Sequence, residues 1–131
     1  MKNEFQVVFE RLKKILQKQA GSFTIKPDSA DKYGLYAKVG PATVKIWGGK
    51  MKHPIMPLGW TEIGKAYVSY HLMPIYGNTK LVNSLSKELR ARMQGKTCFN
   101  FKKTEEPLFN ELEKITAESI AGFKKMGFII D

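Results

Sequence analysis

Apolar residues follow two different periods along this chain, and that contrast limits its fold more than any other feature. Near the N-terminus Phe5, Val8, Phe9, Leu12, Ile15 and Leu16 recur every third or fourth position, which is the spacing of one helical face. Lys13, Lys14, Gln17 and Lys18 lie off that face, and Gly21 predicts the helix end. From about residue 22 to residue 74 the period changes to two, as in half-buried strands. Phe23 and Ile25 alternate with Ser22, Thr24 and Lys26 ahead of a Pro27-Asp28-Ser29 turn. Tyr33, Leu35, Ala37 and Val39 alternate with Gly34, Tyr36 and Lys38, and Gly40-Pro41 again turns the chain. Ala42, Val44 and Ile46 alternate with Thr43, Lys45 and Trp47, predicting another strand. A loop is expected from Gly48 through Pro54, prolonged by Pro57 and Gly59. A further strand is expected from Trp60 to Lys65, and a β-branched and aromatic strand from Tyr67 to Met73.

The helical period then returns. Asn78 or Thr79 suits a cap, Val82, Leu85, Leu89 and Met93 form one stripe, and Gly95 ends it. Thr97 to Lys102 predicts a short strand. Pro107 suits a first helical turn, Leu108, Leu112, Ile115 and Phe123 make the stripe of a C-terminal helix, and Phe128-Ile129-Ile130 follow as an apolar tail. Grouped strands with short turns predict an α+β fold. An antiparallel sheet of about five to six strands would carry the N-terminal and C-terminal helices on one face. Residues 1–131 fit a single domain of this kind.

Charge and cysteine usage narrow the function. Lys plus Arg number 22 against 12 Asp plus Glu, a formal charge of +10. Such an excess favours an anionic partner, a nucleotide or acidic metabolite among them. The lysines are scattered rather than blocked together, as on an ordinary solvated surface; nucleic-acid binding stands as a second alternative that is not favoured. One cysteine, Cys98, makes an internal disulfide impossible and predicts a reducing, cytoplasmic setting. No apolar run approaches the roughly 20 residues of a membrane span, and no signal-peptide core opens the sequence.

Reactive constellations are sparse. The imidazole and thiol ligands are His53, His71 and Cys98, without metal-ligand spacing, so no metal or other cofactor is expected. His71 and Cys98 would meet only if their strands are neighbours. Cys98 sits in an alternating strand rather than at a helix N-terminus, so no activated nucleophile is predicted. Glu62 is the sole acid between Asp31 and Glu88, which argues against a carboxylate pair in the sheet. Gly48-Gly49-Lys50 is too short for a phosphate loop, though its turn amides would suit an anion. These patterns predict a binding protein rather than an enzyme.

The polar face of the sheet carries the functional expectation. If Leu35, Val44 and Ile46 point to the helices, Tyr36, Lys38, Lys45 and Trp47 point away, with Lys26, Ser69, His71, Asn100 and Lys102 on the same side. Lys45 and Lys38 would supply charge and Trp47 and Tyr36 stacking, with His71 and Lys102 in support. That mixture suits an anionic, planar ligand. The same face would alternatively form a homodimer or accept a protein partner.

The strand Tyr67-Val68-Ser69-Tyr70-His71-Leu72 and the segment Gly95-Lys96-Thr97-Cys98-Phe99-Asn100-Phe101-Lys102 also resemble the YdhG-like proteins, a bacterial family of unknown function. The shared pattern is a lysine-led aromatic strand (here led by Lys65), a helix, a glycine-lysine turn and alternating aromatics ending in Phe-Lys. The resemblance runs from Trp60 to about Leu112. It implies a frataxin-like α+β fold with helices on an antiparallel sheet. Because some relatives carry an iron-chaperone description, it also implies a chaperone-like role in iron handling as an alternative. It carries no catalytic residues.

Overall fold

The computed structural model describes residues 4–21, 23–46, 55–75, 78–95 and 97–130. Helix α1, Glu4–Gln19, buries the apolar stripe of Val8, Phe9, Leu12, Ile15 and Leu16. Strands β1 (Thr24–Asp28) and β2 (Lys32–Val39) form a hairpin, and a short helix α2 (Pro41–Ile46) follows. Strands β3 (Ile55–Ile63) and β4 (Val68–Leu72) form a second hairpin. Beyond a single 3-10 turn, Met73–Ile75, come helices α3 (Thr79–Asn83) and α4 (Lys87–Arg90) and strands β5 (Met93–Gln94) and β6 (Cys98–Phe101). Helix α5 (Glu106–Lys125) and strand β7 (Ile129–Ile130) close the chain.

The strands make one antiparallel sheet in the order β1-β2-β3-β4-β6-β5, with β7 paired to the end of β2. Both long helices lie against one face, as the two periods predicted. Tyr33, Leu35, Leu58, Tyr70, Leu72 and Phe99 reach that core from the strands, and Phe101 meets Phe109 of α5 edge-on at 5.0 Å between ring centres. Burial of these side chains is the main stabilising term, at about 1.5–3 kcal/mol for each large apolar residue. A polar contact inside the core ties sheet to helix: the Tyr70 hydroxyl lies 2.6 Å from Thr116 Oγ1.

Three expectations are corrected. Residues 42–46 are helical, not a strand. The C-terminal tail takes the place alongside β2, where Lys38 pairs with Ile130 and Val39 with Ile129. Gly40 packs so closely against Gly127 that a Cβ there would collide with its carbonyl. Pro41 then opens α2, Ala42 N–H donates to the Gly127 carbonyl, and the Thr43 hydroxyl donates to the Phe128 carbonyl at 2.6 Å. Thr43 is thus the buried residue and Ile46 is 68% exposed, the reverse of the strand alternation. The strand beside β2 is instead β3, which runs through Pro57 and Gly59. A register shift between Leu35 and Tyr36 accommodates this stretch, where Tyr36 faces Pro57. Lastly, the helix expected from residue 79 to 93 breaks in two. Ser86 starts α4 by accepting from Leu89 N–H, and Glu111 holds Ser86 through both its N–H and its hydroxyl. Met93 therefore falls in strand β5.

Candidate ligand-binding face

Strand alternation sends Val68, Tyr70 and Leu72 into the core and leaves Ser69 and His71 on the opposite face. Pairing extends this face into two rows. One row runs Lys32, Glu62, Ser69, Asn100, and the next runs Gly34, Trp60, His71, Cys98. Trp60 and His71 stack face to face with ring centres 4.4 Å apart and planes inclined by 14°. On its other side, His71 Nε2 lies 3.7 Å from Cys98 Sγ. The thiol is also 3.4 Å from Asn100 Oδ1, and Asn100 Nδ2 donates to Gln94 Oε1 at 2.6 Å. A polar chain therefore crosses β4, β6 and β5 on this face.

Gly34 is required by the packing around Trp60. A Cβ on Gly34 would lie 2.9 Å from the Lys26 carbonyl oxygen and 3.2 Å from the Trp60 Cβ. The Lys26 carbonyl of β1 thus crowds the face at Gly34, while a concave part of it lies over β4 and β6.

Two depressions meet there at Tyr67. One, of about 410 Å3, has Ser69 at its floor and Glu62, Lys65, Tyr67, His71 and Cys98 around it. The other, of about 500 Å3, is lined by Tyr67, Gln94, Asn100, Lys102 and the Arg92–Glu105 pair. Arg92 grips Glu105 through two nitrogens. That contact holds the Glu105 carboxyl below its ordinary value and raises the guanidinium.

The electrostatics of the Cys98–His71 pair are those of a neutral couple. Burial lowers the His71 pKa, opposed by the Glu62 carboxylate and reinforced by Lys32. Burial raises the Cys98 thiol. A nucleophilic dyad needs the opposite shifts, toward thiolate and imidazolium. Asn100 also bonds the thiol, not the imidazole it would have to orient.

The structure sorts the six expected ligand residues plainly. His71 lies in the face, beside the Ser69 depression. Lys102 follows β6 and lines the neighbouring depression. Tyr36 and Lys38 do lie on the uncovered side of β2, but opposite Pro57 and Ile55, away from Ser69. Lys45 is displaced altogether: it sits exposed in the last turn of α2 because residues 42–46 are helical. Trp47 lies outside the described residues, as do the Gly48-Gly49-Lys50 turn and His53. The aromatic that does join the face is Trp60. It shares parity with Glu62 along β3, a signal already present in the strand expected from Trp60 to Lys65. Tyr67, two residues before Ser69, was legible by the same parity.

Among the described residues no three His, Cys, Asp or Glu side chains converge as metal ligands, and no helix is long and apolar enough to cross a membrane. The chain matches no protein-family model, no curated protein and no solved structure.

Proposed function

We propose that the protein is a non-enzymatic binding protein that takes a small planar anion on the uncovered face of its sheet, over Ser69. The depression between Tyr67 and His71 carries this reading. The two rings stand four residues apart, Tyr67 just ahead of β4 and His71 within it, roughly 13 Å at about 3.3 Å per residue of extended chain. Only the small Ser69 side chain points the same way between them, so a flat group has room to lie over Ser69 against Tyr67, with His71 at its far edge. Lys65 at the rim and Lys102 beyond Tyr67 offer positive charge, and the formal charge of +10 draws anions to the surface generally. The neutral thiol–imidazole couple supports binding over covalent chemistry. Kinship with the YdhG-like proteins and a cytoplasmic location belong to the same proposal, the first resting on the segment from Trp60 to Leu112 and the second on the single, unpaired thiol.

The test is a thermal-shift and calorimetric screen against nucleoside monophosphates, flavin mononucleotide and aromatic carboxylates. At least one should stabilise the protein, and Tyr67→Ala and Lys102→Glu should each weaken its binding about ten-fold, roughly 1.4 kcal/mol. A panel without a single binder, or a binder indifferent to Tyr67→Ala, would overturn the proposal.

A further inference from the structure

Cys98 and His71 are the soft and borderline donors of the face, and β4–β6 pairing sets them directly opposite each other. Their donor atoms are 3.7 Å apart. An ion bound to both at ordinary lengths, about 2.3 Å to sulfur and about 2.05 Å to nitrogen, would subtend an angle of about 116°. That value lies between the tetrahedral and trigonal angles, so the separation of the two donors suits a single shared ion. The stack against Trp60 fixes the plane of the imidazole, and both donors border the same open depression. The thiol has one proton and two candidate acceptors, His71 Nε2 and Asn100 Oδ1. In the neutral pair the imidazole therefore serves either as acceptor or, in its other tautomer, as donor to sulfur.

We propose that Cys98 and His71 form a two-residue site for a soft monovalent cation of the copper(I) class. Two protein donors fall short of the three or four that a zinc site recruits. A thiolate with an imidazole matches the preference of copper(I), which accepts low coordination numbers. Binding forms one metal–sulfur and one metal–nitrogen bond and breaks the S–H bond. The proton goes to solvent and no electron moves. A neutral imidazole has one nitrogen lone pair to offer the ion. Glu62, at the rim, places negative charge near the ion, while Lys65 and Lys32 oppose it. The site shares His71 and the depression with the ligand-binding reading but needs neither Tyr67 nor Lys102, so the two can fail separately.

The experiment is anaerobic titration of the full chain with copper(I) held by a colorimetric chelator. The protein should withdraw one equivalent and release one proton per ion. X-ray absorption at the copper edge should show one sulfur neighbour and at least one nitrogen. Cys98→Ser should abolish the withdrawal, and His71→Gln should weaken it at least ten-fold in protein whose circular dichroism is unchanged. Tyr67→Ala should leave it intact. The proposal fails if nothing is withdrawn, if Cys98→Ser still binds, which would point to the six methionines, or if His71→Gln binds as tightly as the natural chain, which would reduce the site to a lone thiol.

Discussion

The bond between Tyr70 and Thr116 sets up an asymmetry that denaturation can measure. Thr116 Oγ1 donates to the Leu112 carbonyl at 2.7 Å, one turn back in α5. A threonine hydroxyl has a single proton, so the 2.6 Å contact must be Tyr70 donating and Thr116 accepting. Both residues are 0% exposed. Tyr70→Phe removes the donor and leaves Thr116 with its bond to Leu112, so it should cost the net worth of one hydrogen bond, about 1 kcal/mol. Thr116→Val keeps the shape but strands the Tyr70 hydroxyl in the core, which costs the desolvation of an unpaired donor, about 2 kcal/mol. The double variant should resemble Tyr70→Phe alone, because no donor then lacks a partner. Urea unfolding followed by circular dichroism reads all three, with midpoints shifting and slopes unchanged. Equal losses for the two single variants, or costs that simply add in the double variant, would refute the assigned direction of the bond.

The other predictions are shorter. Burial also pushes the Tyr70 phenol well above its ordinary value of 10.0, so its contribution is whole below about pH 10 and lost as pH rises beyond it; Tyr70→Phe should flatten the alkaline fall in melting temperature. His71 is shifted the other way, below 6.5. Its contribution is complete above that pH and declines as pH drops through the lowered midpoint. An NMR titration should place the midpoint under 6.5, and Glu62→Gln should move it lower still, since the Glu62 charge raises it; a midpoint above 6.5 contradicts the burial. Gly34→Ala forces a Cβ to within 2.9 Å of the Lys26 carbonyl and should cost about 1–3 kcal/mol, so an unchanged unfolding midpoint would be fatal to the argument. Ser86→Ala removes the α4 cap and its tie to Glu111 and should cost about 1 kcal/mol, with Glu111→Ala adding little on top.

What could be read from the chain alone tracks how local the cause was. The two long helices were legible because their stripes are continuous and each buries one face. The strand from Tyr67 to Met73 was legible because β-branched and aromatic residues alternate there without a breaker, and β4 occupies Val68–Leu72 within it. Residues 42–46 carry an equally regular alternation yet fold as a helix, because the deciding partner is the C-terminal tail, more than 80 positions away, bonded through Thr43 and Phe128. Pro57 and Gly59 hid the start of β3 for the opposite reason: their local preference is for a loop, and only the irregular pairing with β2 admits them to the sheet. Only the second half of that strand, from Trp60, was expected, and the aromatic of the face was expected at Trp47 instead of Trp60. The Cys98–His71 contact was conditional on strand order, which no local pattern fixes.

Strand β4 makes the core and the candidate site from one alternation, and this separates stability from binding. Tyr70 projects into the helices, where its hydroxyl meets Thr116. Ser69 and His71, its immediate neighbours, project the other way into the depression. Between them lies only the backbone, held on both edges by pairing to β3 and β6. A strand clamped on two sides cannot rotate to relieve a change on one face without breaking its ladder. Loss of the Tyr70 hydroxyl should therefore lower the unfolding midpoint while leaving anion affinity and copper(I) withdrawal at the natural level. Tyr67→Ala should do the converse for the anion alone. If Tyr70→Phe weakened ligand and metal binding in step with stability, the two faces would be coupled through movement of β4, and a site built on a rigid strand would have to be abandoned.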